Sequence, residues 1–506
     1  MKGATTHDLR VDELRDAAQR LLDSGGRMQM VYALYPPGGV AELRPELRPE
    51  LRLDLRYVAT PANSATFEVW RCTPTQEPPS LATIWPLLGW YEREIMDLHG
   101  IRFLDHPEPN RLVLPQHMPP PLAPADPAFG SPDTAVNGNG IRTLPEVLAP
   151  DVQALPFGPV RADVLESAEF TFLYIGEQIL HYHPQLFFKH RGMEARFQGA
   201  DAVRGTILAE RVSGVGTVAH ALAYCQAVEH AADCTVPRRA CWLRVLLAEL
   251  ERVYNHLHYL GHLANTTTLK VGDAQGKLLE ERAKQINTRL TGSRFLRSLL
   301  IPGGLRRDLQ PAGWLGEQLE ALRAETAKYV DHLENSDSHL DRLLTTGMLS
   351  PKVAYDQGAT GPVQRASATD RDLRRDHPYA GYAELPLTIP TRPEGDAYAR
   401  SRVRIEEIDA SIAVMQRVLL LLPDGDIRVP CAPGPMAEGL GWTESPRGTL
   451  FYAVHFGPDE RLARVKIKSP SFSNWRVFPF TVHDTNMMDY AINEASFGLT
   501  ISGCAR

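Results

Sequence analysis

Between Met118 and Gly140 the chain reads MPPPLAPADPAFGSPDTAVNGNG, and a run of this kind cannot continue a helix or a central strand. Proline fixes φ and removes a backbone donor, while Gly, Asn and Asp favour turns. The segment predicts an extended linker over 118–150 that divides the 506 residues into units at 1–117 and 151–506. At about 150 residues per domain, the length has room for roughly three domain-sized bodies, so the second unit is large.

Hydrophobic periodicity differs on the two sides. In the first unit MQMVYALYP and LRLDLRYVAT alternate as strands do, and Trp85 to Leu98 has helical spacing, which predicts a small α+β domain. Within it ELRPELRPELR (Glu42 to Arg52) repeats a four-residue unit whose Pro45 and Pro49 forbid a helix interior, so it reads as an expanded surface loop. Beyond the linker, GPVRADVLESAEFTFLYIGEQILHYH reads as short strands, and helical patterns then dominate to about Leu422. The clearest helix runs from Arg238 to about Leu260, where Leu243, Leu246, Leu250, Val253 and Leu257 form a core-facing stripe. Two more are expected over Leu315 to Leu344 and Tyr398 to Leu422. Alternation returns in FYAVHF and ARVKIKSPSF, followed by a short helix and a buried terminus. The expected class is α+β: a small N-terminal α+β domain, a linker, then a mainly helical body with small sheets.

A hydrophobic fraction of 43% with 23% charged residues is that of a folded globular chain. The net charge of −7 supplies no basic field, so nucleic acid is not an expected partner. The polar start MKGATTHDLRVDELRDAAQRLLDSGG lacks the apolar core of a secretory signal. Apolar runs such as Trp242 to Leu250 are too short to cross a bilayer, so membrane contact is expected only through partners. Six cysteines (Cys72, Cys225, Cys234, Cys241, Cys431, Cys504) contain no C-x-x-C pair, which argues against a disulfide framework, a zinc site or an iron-sulfur cradle. A reducing cytosol fits best.

Three features are candidates for chemistry. Glu166 is a carboxylate among strand-like residues; AERVSGVGTVAH places Gly214 and Gly216 at the opening of a helix, without the G-x-G-x-x-G register of a dinucleotide site; and ESPRG (Glu444 to Gly448) sets a carboxylate and a guanidinium around the turn-forming Pro446. On their own, all three read as turn and capping chemistry.

Together with their neighbours they resemble a known family. EREIMDLHGIRFLDHPEPNRLVL (Glu92 to Leu114) resembles the signature of the thirty-kilodalton subunit of respiratory complex I. HRGMEARF, AERVSGVGTVAHALAYCQAVE, RVLLAELERVYNHLHYLGHLAN, RLTGSRFLRSLLIPGG, GPVQRASATDRDLRRDHPYAGY, ESPRG and SPSFSNW resemble the large subunit of membrane-bound nickel-iron hydrogenases and the homologous quinone-site subunit of complex I. The fusion of the two parts is similar to the large subunit of formate hydrogenlyase. The resemblance implies an oxidoreductase subunit at the cytoplasmic face of a membrane. Its implied partners are a small subunit that holds a four-iron iron-sulfur cluster and antiporter-like membrane subunits that move ions.

The departures from the family decide the expectation. Its nickel is held by four thiolates in R-x-C-G-x-C and D-P-C-x-x-C. Here the first motif spans Arg211 to Gly216 and puts Ser213 and Gly216 at the cysteine positions; the second places Gly498, Leu499, Thr500 and Gly503, with Cys504 one residue beyond. Nickel and iron need soft donors, and a glycine offers no side-chain ligand. No nickel-iron site is therefore expected, although Arg211, His220, Arg447 and, at the proton-gate position, Glu166 remain. For Glu166 proton handling and structural pairing weigh equally, and His220 reads as a satisfied core histidine.

Complex I carries histidines after G-P and a tyrosine near the first cysteine motif, where this chain has Arg161, Leu165 and Gly214. The usual quinone donors are absent, and a cavity near Glu166, His220 and Arg447 could still take a quinone or another small acceptor. His256 matches the region that approaches the partner's cluster and either tunes it or sits on a solvated helix face. The expected function is a large subunit of a complex I-like, hydrogenase-related complex without its metal centre. The alternatives are a non-catalytic scaffold capping the iron-sulfur subunit, or a hydrogenase with atypical ligands.

Overall fold

The computed structural model describes residues 1, 3–35, 53–115, 118, 149–161, 166–311, 313–483 and 485–506. The Glu42 to Arg52 repeat, residues 119–148 of the expected linker and Leu165 lie outside them.

Strands β1 (Ala4–Asp8), β2 (Arg27–Leu34), β3 (Asp54–Thr60) and β4 (Phe67–Cys72) form the first sheet in the order β1-β4-β3-β2. β1 runs parallel to β4; the other pairs are antiparallel. β2 is buried at every position, which its alternating sequence does not foretell. Helix Gly89–His99 packs on it, and the second body covers it as well: Tyr32 Oη lies 3.0 Å from His455 Nε2, and Lys468 Nζ donates to Gln29 Oε1 at 2.7 Å. The expected helix over Trp85 to Leu98 is a 3-10 turn at Pro86–Leu88 followed by Gly89–His99.

The second body opens with a sheet of β5 (Gln153–Phe157), β6 (Glu169–Ile175) and β7 (Gln178–Gln185). A two-stranded ribbon, β8 (Leu300–Ile301) and β9 (Gly304–Leu305), follows later. The meander β10 (Glu438–Ser445), β11 (Gly448–Phe456) and β12 (Leu462–Lys468) then supports helix Thr217–Ala232. That helix seats directly on β10 because two strand residues are glycines: a Cβ at Gly439 would stand 1.9 Å from Ala227 O, and one at Gly441 2.1 Å from Ala223 O.

Helix Arg238–Thr266 is the centre of the body, packed between Lys270–Thr291 and Ala397–Leu421. It is buried nearly all round, so its leucine stripe is only part of its core face. The single helix expected over Leu315 to Leu344 is instead two, Trp314–Glu334 and Asp337–Leu343. The alternation read through ARVKIKSPSF stops at Lys468, because Ser469 accepts from Phe472 N at 3.1 Å and caps helix Pro470–Val477 with a proline in its first turn. The chain finishes buried, with Arg506 bonded to Glu94 at 2.9 Å and Glu194 at 3.1 Å.

Candidate functional site

Ser213, Gly216, Thr500 and Gly503, far apart in sequence, line one enclosed space. The loop before helix Thr217–Ala232 supplies Ser213 and Gly216. The β10–β11 turn supplies Ser445, Pro446 and Arg447; the start of helix Pro470–Val477 adds Ser469 to Ser471, and the short final helix Ile501–Cys504 brings Thr500 and Gly503. The turn can sit this deep because Gly448 has φ +129° and faces Gly361 backbone to backbone; a Cβ there would meet Thr360 Oγ1 at 2.4 Å. The enclosed volume is about 20 Å³, room for roughly one water.

The hydroxyls of Ser445, Ser469, Ser471 and Thr500 around this space have structural partners; Ser445 Oγ donates to Gly448 O at 2.9 Å. Thr500 caps the final helix, accepting from Gly503 N at 3.2 Å, and lies 3.2 Å from Ser471 Oγ. Ser471 Oγ also accepts from Thr500 N at 3.2 Å, and Ser469 Oγ donates to Gly503 O at 2.5 Å. Side chains at the glycine positions would be crowded: a Cβ at Gly216 would lie 3.2 Å from His220 Cδ2, and one at Gly503 2.6 Å from Thr500 Oγ1. Hard, committed oxygens and a one-water volume do not fit a thiolate-held bimetallic centre. Cys504 is fully buried, burial pushes its thiol up, and it does not line the space. Among the described residues no three His, Cys, Asp or Glu side chains are grouped as a metal would require.

Of the residues singled out from the sequence, His220 and Arg447 line the space and Glu166 does not. His220 Nδ1 is 2.8 Å from Tyr452 Oη, and burial lowers its proton affinity to about 3, so the ring is neutral. Arg447 donates to Gly498 O at 2.8 Å and to Asn255 Oδ1 at 2.7 Å; burial lowers it to about 10, which leaves it charged at neutral pH. Glu166 accepts from Ile501 N at 2.5 Å, Ser502 N at 3.1 Å and Lys189 Nζ at 3.2 Å. Burial works against its charge, and the bonds from Ser502, Lys189 and Ile501 more than offset it, so the carboxyl is held below its ordinary range. It secures the final helix.

Arg211 is half-exposed and pairs with Glu210 at 3.1 Å. Arg161 pairs with Glu494 at 3.0 Å, and Gly214 is exposed on the loop.

His256 is a correction to the solvated-face reading. It is 1% exposed, and its Nε2 lies 2.7 Å from Glu407 Oε2. Burial lowers it to about 4, so at neutral pH the ring is uncharged and Nε2–H donates. It belongs to a buried ion network that the sequence reading missed. Three guanidinium groups, Arg252, Arg365 and Arg374, face four carboxylates, Glu249, Asp372, Glu407 and Glu444. Arg365 bonds Glu407, lies 3.1 Å from Asp372 and 3.2 Å from Glu444; Arg374 reaches Asp372 at 2.8 Å and Glu249 at 3.2 Å. Tyr382 and Ser411 hydroxyls complete Glu249 at 2.5 and 2.6 Å.

The count leaves one carboxylate in excess, and Glu444 carries it. Burial and the neighbouring Asp372 raise it to about 7, whereas Glu407, Glu249 and Asp372 are held low by their arginines against the same burial. Glu251 on the same helix is raised to about 7 by burial while it caps helix Thr217–Ala232 through Val218 N at 2.6 Å and Ala219 N at 3.0 Å. The available sequence signal was charge inside an apolar helix: Glu249, Glu251, Arg252, Asn255 and His256 interrupt the stripe of Arg238–Thr266 and are all buried.

The comparisons give the class: a hydrogenase-related, complex I-like subunit. Residues 8–130 match the family described as respiratory-chain NADH dehydrogenase, 30 Kd subunit; residues 278–434 and 431–506 match its 49 Kd subunit, and 191–289 match nickel-dependent hydrogenase. Formate hydrogenlyase subunit 5 of Escherichia coli (strain K12) is 30% identical over 423 residues, 82% of this chain and 74% of that protein. Hydrogenase-4 component G of the same organism is 31% identical over 82% of this chain and 73% of its own length. The C/D component of the NADH-quinone oxidoreductase of Rhodopseudomonas palustris (strain BisB18) is 28% identical over 78% and 76%. A chain of the membrane-bound sulfane sulfur reductase, an archaeal respiratory membrane complex, superposes with a TM-score of 0.67 at 25% identity, covering 71% of this chain and 100% of that one. The chain belongs to the family that includes formate hydrogenlyase subunit 5 and hydrogenase-4 component G. Among the described residues no helix is long and apolar enough to cross a membrane.

Proposed function

We propose that this chain is the large subunit of a membrane-associated electron-transfer complex of this family whose nickel-iron site has been lost. Its partners are a small subunit with a four-iron cluster and antiporter-like membrane subunits at the cytoplasmic face, through which redox chemistry drives ion movement. The N-terminal unit, 1–117, acts as an assembly module joined by the linker to 151–506. The observation that carries the reading is the space bounded by Ser213, Gly216, Thr500 and Gly503: no sulfur lines it, and the hydroxyls of Ser469, Ser471 and Thr500 cap and brace the surrounding helices.

Within that reading the size of the space favours a scaffold. Ligand pockets usually measure at least about 300 Å³, so a volume of about 20 Å³ would have to open before it took a quinone ring. Proton handling would fall to the ion network around Glu444 in preference to Glu166, whose oxygens are committed to the final helix. His256 is fully buried with its Nε2 committed to Glu407, which favours a role inside the ion network over contact with a partner's cluster.

Metal analysis of the native complex tests the loss: nickel far below one atom per chain and no hydrogen-dependent dye reduction are expected, and stoichiometric nickel would overturn the reading. Arg447→Met in the cellular complex separates scaffold from cavity chemistry, with Glu166→Gln as the control for anchoring of the final helix. Unchanged turnover supports the scaffold; turnover lost in a correctly assembled complex supports cavity chemistry.

A further inference from the structure

A second enclosed space lies where the N-terminal sheet meets the C-terminal body, and cations dominate its wall. Arg27 at the start of β2, Lys468 at the end of β12 and Arg476 on helix Pro470–Val477 line a cavity of about 10 Å³, with Gln29 and Gln357 beside them. Among the described residues none of the three has a carboxylate partner within ion-pair distance. Arg27 donates to Ala359 O at 2.8 Å and through Nη1 to the amide oxygen of Gln364 at 2.6 Å, and stands 5.5 Å over the Tyr355 ring; all of these partners are neutral. Lys468 donates to Gln29 Oε1 at 2.7 Å. Arg476 has one long contact, 3.5 Å to Gln357 O, and its buried Nε has no acceptor. The carboxylates whose charge they feel are engaged elsewhere: Glu444 by Arg365 at 3.2 Å, Glu108 by Arg93 at 3.2 Å and Glu92 by Ser80 Oγ at 2.5 Å and Leu81 N at 2.9 Å.

A buried charge without a counter-charge costs far more than a buried hydrogen bond returns, so such groups either neutralise or acquire a partner. Lys468 can lose its proton, and burial together with Arg27 and Arg371 pushes its affinity well below the ordinary range. The guanidinium groups cannot follow. Burial lowers Arg27 and Arg476 only to about 9, so both stay charged at neutral pH and the cavity is positive whatever Lys468 does. The ammonium has three donors and one protein acceptor, which leaves hydrogen-bonding capacity directed at a guest. A volume of about 10 Å³ is at the lower limit for one water, has no room for a phosphate, a sulfate or a carboxylic acid, and admits a halide, slightly larger than water, only as the flexible ends of Lys468 and Arg476 give by a few tenths of an ångström.

We propose that this cavity binds a single monatomic anion, chloride in the cell, between Lys468, Arg27 and Arg476, and that the ion ties the N-terminal sheet to the C-terminal body. The site is independent of any redox chemistry in the chain.

Thermal unfolding of the full chain in its purified complex tests this, at constant ionic strength with chloride exchanged for gluconate, which is too large to enter. Tm is expected to rise with chloride and to level off, as mass action requires of a ligand that binds the folded state alone. Bromide should substitute for chloride, and its anomalous scattering should fall between the three side chains. Lys468→Met should abolish the chloride response; if that variant does not fold, Arg476→Gln, on a partly exposed side chain, should weaken it. A Tm indifferent to halide, or bromide density absent from the cavity in a halide-soaked crystal, would overturn the proposal and leave the space to water beside a neutral lysine.

Discussion

Two buried polar regions meet at the Ser445–Arg447 turn and solve the burial of polar atoms in opposite ways. On one side, Ser469, Ser471 and Thr500 are neutral, short and locally bonded, and they close a space to the size of one water. On the other, three arginines and four carboxylates lie with almost no exposure, each dependent on the others. Arg252 joins the two by donating to Glu444 O at 2.6 Å and Ser445 O at 3.3 Å. Hydroxyls that cap helices can be lost one at a time at modest cost; removing one charge from the network strands its partners in a low-dielectric interior.

That contrast sets the order of expected effects. Arg365→Met leaves Glu407, Asp372 and Glu444 short of a partner and should cost about 3–5 kcal/mol, read by chemical denaturation. A loss below about 1 kcal/mol would erase the distinction between the regions. Restoring thiols with Ser213→Cys, Gly216→Cys, Thr500→Cys and Gly503→Cys together should destabilise by about 2–4 kcal/mol through overpacking and a lost cap, since His220 and Thr500 already crowd the glycine positions. Nickel content should stay near zero; a stable variant that takes up nickel would show that the pocket can still expand.

Glu444 offers the sharpest pH measurement. Its folded-state affinity, raised to about 7, means that its contribution to stability is full below the ordinary carboxyl range and is lost as pH rises through 7. Glu444→Gln should therefore gain on the parent by about 1–2 kcal/mol between pH 5 and 8, and parallel pH curves for the two proteins would refute the charge count. His220 and His256 act with the opposite sign: lowered to about 3 and about 4, they contribute above the ordinary histidine range and that contribution is lost as pH falls through those values. Thr500→Ala should remove about 1 kcal/mol as a lost cap; no change would mean Glu166 alone holds the final helix. Arg211→Ala removes the half-exposed partner of the buried Glu210, which keeps its bond from Ser298 N at 2.7 Å, and should cost about 1 kcal/mol or less.

Legibility in the sequence followed the range of the interactions. Ser213, Gly216, Thr500 and Gly503, singled out from motif spacing, line one space, because each of their segments sits at the opening of a helix with its own local turn signal. The long helices at 238–266 and 397–421 were visible from their period. Glu249, Asp372, Glu407 and Glu444 were not, since their partners come from segments up to 192 residues apart, as in the Arg252 bond to Glu444 O. A glutamate on an isolated helix reads as solvated until a second helix buries it. The break at Asn335 and the cap at Ser469 were also hidden, because a continuous apolar pattern ran through both.

The double coverage of β2 bears on how the chain is made. Tyr32 meets a histidine 423 positions later, and Gln29 waits for a lysine 439 positions on. During translation the first sheet emerges with one face bare until nearly the whole polypeptide has left the ribosome. Contacts of such long separation form slowly, so the early-born sheet is the part with most need of a holding chaperone, and a ribosome-stalled chain cut before residue 455 should bind one.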